Sequence, residues 1–195
     1  MAPPDDPQSS FEVADRLQDI KIGKLDVACR LINTAVRMYF RQEDLIAIHT
    51  VIASAHQVLF DIGRRRGITG ALKRVGGLKN EEIRKHLQSI NYPVNFFKHA
   101  DRDPDSMIYV GPLLRFTEDF IMDAVLLLIG LTNDVPLEAK TYMAWFVSRY
   151  PDEFDDVPED GELRRIQQLG VANWQLNEID DFLRFGDLMK SDKDT

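Results

Sequence analysis

Between Leu25 and Ile62 the apolar residues recur at intervals of three and four, and no other feature of the chain restricts its fold as much. Leu25, Ala28, Ile32, Ala35 and Tyr39 mark one side of a helix over residues 24–40. Leu45, Ile48, Ile52, Ala55, Leu59 and Ile62 mark one side of a second that runs to Gly63. Almost no linker separates them, which predicts an antiparallel helical hairpin. The same spacing returns in Leu113, Phe116, Phe120, Ala124, Leu127, Leu128 and Leu131, the most hydrophobic helix and the expected centre of the fold.

The remaining elements follow from local signals. Ser9 with Glu12 reads as a capping box opening a short helix to about Asp19, behind a proline-rich stretch 1–8 read as disordered. Asn80, Glu81 and Glu82 suit a helix start, and Ile83, Leu87 and Ile90 carry it on; Pro93 suits the first position of another short helix to about Ala100. Asp101 to Asp105 forms an acidic turn, because the residue before Pro104 is pushed out of helical geometry. Residues 107–110 read as an extended crossing segment. Pro136 starts a helix to Arg149 that turns Leu137, Ala144, Trp145 and Phe146 inward, and Pro151 ends it. Beyond an acidic loop to Gly161 come a helix near 163–169 and an amphipathic one through Ile179, Phe182, Leu183 and Leu188. The reading is all-α: a bundle of four to six core helices over 9–149, with an acidic helical appendage at 150–195.

With 44% hydrophobic and 29% charged residues the chain has ordinary globular composition. No apolar run approaches the roughly 20 residues of a bilayer span. The first residues lack the basic and apolar segments of a secretory signal, so a cytoplasmic protein without membrane contact is expected. A single cysteine, Cys29, excludes an internal disulfide and reads as a small buried hydrophobe. The net charge of -8 is uneven: residues 1–149 hold 19 acids and 19 bases, residues 150–195 hold 13 and 5. Around the helix over 113–131, Ile121, Met122, Val125, Leu126 and Ile129 lie outside the main stripe and need a cover, for which a homodimer is the expected source.

Candidate chemistry concentrates in two stretches. Residues 63–77 hold five glycines and five bases and read as a mobile basic connector. Arg64, Arg65, Arg66, Lys73 and Arg74 lead a basic segment over 64–85 suited to RNA phosphates. Residues 94–105 crowd one imidazole, one amide and three carboxylates beside Phe96 and Phe97. His49 and His56, seven positions apart, lie about 10.5 Å from each other along a helix, too far to share one ion. A metal site therefore needs His49 or His56 together with His99, Asp101 or Asp103, and neutral imidazole with carboxylates suits zinc, manganese or iron. His86 reads as solvent-facing. No Walker loop, dinucleotide fingerprint, paired-cysteine zinc spacing or nucleophile elbow occurs, which removes those enzyme classes.

Asn95-Phe96-Phe97-Lys98-His99, near a short helix of an all-α chain, resembles the motif of HEPN (higher eukaryotes and prokaryotes nucleotide-binding) domains. These are small helical bundles, often dimers, and many are RNases. Their motif is an arginine, usually followed by a polar residue, with a histidine a few positions on. Asn95 and His99 match the last two, and Val94 stands in the arginine's place. The resemblance spans 24–149 by helix pattern. It implies a nucleic-acid or nucleotide-associated protein without a cofactor, in which Asn95, His99 and Arg102 are the catalytic candidates. An arginine would hold phosphate while the histidine moves a proton. Two other readings stand beside it: a metal-dependent hydrolase on the histidine and aspartate set above, and a non-catalytic interaction module docking through its acidic tail.

Overall fold

The structure, a computed structural model, describes residues 21–73, 79–101, 103–154, 158 and 161–191, the last five by backbone alone. The stretch 1–8, the helix expected over 9–19, Arg74 and Arg102 lie outside the described residues. Among the described residues there are seven α-helices, α1 (Lys24–Phe40), α2 (Leu45–Arg65), α3 (Asn80–Lys98), α4 (Leu113–Leu131), α5 (Leu137–Arg149), α6 (Glu162–Gln168) and α7 (Leu176–Ser191), and no strand. Short 3-10 turns occupy Pro151–Phe154 and Val171–Asn173. The fold is an all-α bundle with a helical C-terminal appendage.

The α1–α2 hairpin turns over residues 41–44, where Gln42 takes a positive φ of 56° and Asp44 caps α2 by accepting the Ala47 N–H at 2.9 Å. α2 packs between α1 and α4. Ile32, Ile52, Leu59, Ile121, Leu127 and Leu128 are wholly enclosed there, each contributing about 1.5–3 kcal/mol by leaving water. With 21 residues, of which an 18-residue stretch has a mean hydropathy of 1.5, α2 meets the length and composition of a membrane span, contrary to the sequence expectation. In the fold it is a core helix with one face against α1 and α4.

Several elements differ from the expectation. Pro93 does not open a new helix: α3 runs through it from Asn80 to Lys98 and buries it, although a proline there forgoes one backbone hydrogen bond. Residues 63–73 are not a mobile arm. Gly63, Gly70 and Lys73 are buried, and Ile68 and Leu72 pack against the core. His86, expected in solvent, is half-buried with Nε2 2.8 Å from the Leu72 carbonyl.

The second face of α4 is largely covered within the chain. Ile121, Met122 and Val125 are buried, and Ile68 lies against Gly130, whereas Leu126 and Ile129 stay exposed. α5 buries Glu138, Ala139, Tyr142, Trp145 and Phe146, leaving Leu137 and Ala144 only half-buried. The reason is polar: Glu138 faces α1, where Arg37 donates to its Oε1 from Nε at 3.0 Å and Nη2 at 2.5 Å. From the appendage, Ile179 and Leu183 join the core at 0% exposure, and buried Asp180 accepts from Arg41 Nε at 2.9 Å.

Candidate functional site

The residues singled out by the motif do converge. α3 ends at His99, whose backbone N–H donates to the Asn95 carbonyl at 3.0 Å, so Asn95 and His99 sit one turn apart. Together with Tyr92, Phe96, Asp101 and Asp103 they line an open cleft of about 550 Å³. Tyr92 and Phe96 are neighbours, with ring centres 6.2 Å apart, and Tyr92 is half exposed. Asn95 and His99 are exposed, and neither side chain makes a hydrogen bond among the described residues.

The basic residues lie elsewhere. His49, near the start of α2, stands 6.1 Å from the Phe97 ring near the end of α3. Arg64 and Arg65, at the other end of α2, are therefore about 24 Å away along the helix axis, at about 1.5 Å per residue. Within one chain they do not reach the cleft, and they cannot replace the arginine missing at Val94. Arg65 and Arg66 instead line a separate groove of about 490 Å³ together with Lys24, Val58, Asp61 and Ile62. Lys73 drops out of the proposed phosphate-binding set. Its ammonium is buried, donates to Gln57 Oε1 at 2.6 Å and lies 4.9 Å from the centre of the Phe60 ring, and burial lowers its pKa.

The metal reading is not supported by geometry. The ring of Phe120 fills the space between His49 and His56, with centroids 5.1 Å and 4.9 Å from the two imidazoles. His49 is fully buried while His99 is exposed. Among the described residues no group of three or more His, Cys, Asp or Glu stands where it could hold a metal ion, so the set His49, His56, His99, Asp101, Asp103 is not assembled. Each buried imidazole is held by a different group of α4. Thr117 donates its hydroxyl to the Leu113 carbonyl, which leaves it to accept from His49 Nδ1 at 3.0 Å. His49 Nε2 has no partner among the described residues, and burial lowers the His49 pKa to about 4. His56 Nε2 lies 2.7 Å from Asp123 Oδ2, and Asp123 Oδ1 accepts the Ala71 N–H at 2.5 Å.

A second polar cluster escaped the sequence reading. Glu118, 4% exposed, accepts the Tyr39 hydroxyl on Oε1 and the Tyr150 hydroxyl on Oε2, each at 2.5 Å, and its carbonyl accepts the Tyr142 hydroxyl at 3.1 Å. Desolvation raises the pKa values of Tyr39, Tyr142 and Tyr150, and the nearby Glu118 charge adds to it. Arg115 lies 3.8 Å from the centre of the Tyr150 ring and pairs with Asp119 at 2.8 Å and with Glu153. The only sequence signal was the presence of Glu118 and Asp123 within the most apolar helix, since a carboxylate there must be bonded to be tolerated.

The chain matches no family model, no curated protein and no solved structure.

Proposed function

We propose that the chain is a HEPN-like nucleic-acid or nucleotide-associated protein that takes an unpaired base into the cleft at the end of α3, without cleaving the strand. The supporting observation is the meeting of the Tyr92–Phe96 aromatic pair with the unbonded Asn95 and His99 side chains in one open cleft. Stacking on aromatic rings is available to any base and contributes about 1–3 kcal/mol per base. Asn95 can donate and accept in the base plane, as can neutral His99. The Asp103 carboxylate at the cleft disfavours phosphate, so the base enters while the backbone stays outside. General acid–base cleavage needs a second positioned group to stabilise charge on phosphate, and none of the described arginines stands beside His99.

The test is anisotropy of a labelled single-stranded RNA at low salt. Wild type should bind and leave the RNA intact, and Tyr92→Ala/Phe96→Ala should bind about tenfold or more weakly. Absence of binding by wild type, or unchanged binding by the variant, would overturn the reading.

One observation favours an interaction module instead. Met107 and Tyr109 are each 91% exposed beside an apolar groove of about 380 Å³ that includes Pro93, Leu113 and Phe116. Exposed apolar surface of this kind is characteristic of contact faces.

A further inference from the structure

The pocket behind the Glu118 cluster lies among α1, α4, α5 and the appendage, and holds about 390 Å³. Its polar groups are unevenly engaged. Both carboxylate oxygens of Glu118 are taken by tyrosine hydroxyls, and Arg115 is held by two acids. Arg149, by contrast, has no ion pair or hydrogen bond among the described residues; its guanidinium lies 5.9 Å from the centre of the Tyr150 ring. Trp145 and Trp174 line the same pocket, and neither indole N–H donates to a described residue.

The unused groups are thus all donors, one of them a permanent cation, and their complement is an acceptor-rich anion. Trp174 and Leu114, 43% and 49% exposed, and Leu176 add apolar wall suited to a flat hydrocarbon body. We propose that this pocket binds a small aryl carboxylate, with the carboxylate on Arg149 and the ring against Trp174. Arginine matches a carboxylate with two parallel N–H bonds, and such charge-assisted bonds are about twice as strong as neutral ones. The site shares no lining residue with the cleft at the end of α3, so the two readings stand or fall separately.

The chain's two tryptophans both line the pocket, so intrinsic fluorescence reports its occupancy directly. The experiment titrates the full chain with benzoate, with neutral benzamide and with inorganic phosphate, in wild type and in Arg149→Gln. Wild type should show a saturable response to benzoate. Benzamide on wild type, and benzoate on the variant, should each bind about tenfold or more weakly, the loss of one charge-assisted contact. Phosphate should not displace benzoate at equal concentration. No saturable response up to about 10 mM benzoate, equal binding of benzamide, an unchanged Arg149→Gln variant or displacement by phosphate would each overturn the proposal.

Discussion

The imidazole of His56 meets the carboxylate of Asp123 at 2.7 Å with both side chains buried, and the same carboxylate holds the Ala71 N–H, so one acid joins α2, α4 and the segment 63–73. Gly70 lies directly against it: a Cβ at this position would collide with both Asp123 oxygens. Asp123→Ala should destabilise the chain by about 3 kcal/mol or more, because it leaves buried donors without an acceptor. Gly70→Ala should cost about 1–3 kcal/mol in wild type but under about 1 kcal/mol once Asp123 is alanine, since the colliding group is then gone. Denaturant midpoints of the two single variants and the double variant measure this coupling. Strict additivity would show that the contact is not the cause.

His49 makes stability depend on pH. Its ordinary value is 6.5, and burial lowers it to about 4 in the fold. Between those values the unfolded chain binds the proton and the native chain does not, so stability falls as pH falls through this window. The full effect is about 3 kcal/mol, reached near pH 4. Unfolding by denaturant at pH 7 and at pH 4.5 should therefore show a larger acid loss for wild type than for His49→Gln, and equal losses would remove His49 as the source.

Three of the chain's five tyrosines surround Glu118, and their pKa values are raised above the ordinary 10. The unfolded chain gives up these protons first, so stability holds below pH 10 and declines as pH rises beyond it. Spectrophotometric titration should show Tyr39, Tyr142 and Tyr150 ionising later than model tyrosine, with Tyr39 and Tyr142 released only on alkaline unfolding. Tyr39→Phe should cost about 1–2 kcal/mol by removing one donor from a buried carboxylate.

The basic end of α2 has its own signature. If Arg64, Arg65 and Arg66 each touch one phosphate of bound single-stranded RNA, changing all three to alanine should flatten the log–log salt slope by roughly two units. Lys73→Ala should leave that slope unchanged while lowering stability, because its ammonium is turned to Gln57 and Phe60. A slope altered by Lys73→Ala would contradict its burial.

The helical class was legible because α1, α2 and α4 carry apolar residues at the helical repeat, a signal that survives without any tertiary knowledge. The grouping of Asn95 with His99 was legible for the same reason, since a separation of four places both on one helix face. Composition misled at residues 63–73, where glycines signalled mobility. Gly70 leaves the space that Asp123 occupies, and the backbone N–H of residue 71 is held by that acid. Tyr39, Glu118 and Tyr150 share no local spacing, so their meeting is set by packing alone. Pro93 failed as a boundary because α3 runs through it and buries it, although proline is ordinarily a poor fit for a helix interior.

The polar ties of this bundle also bear on how it assembles. The α1–α2 hairpin closes over four residues, whereas Arg37 finds Glu138 across 101 positions and Arg41 finds Asp180 across 139. Local contacts form early, and distant ones carry a loop-closure entropy that grows with separation. The hairpin is therefore the natural nucleus, and Arg41 stays without its acid until Asp180, 139 positions later, has been synthesised. Nascent chains released before Asp180 should carry a formed hairpin with an open flank, the state most exposed to misassembly during synthesis.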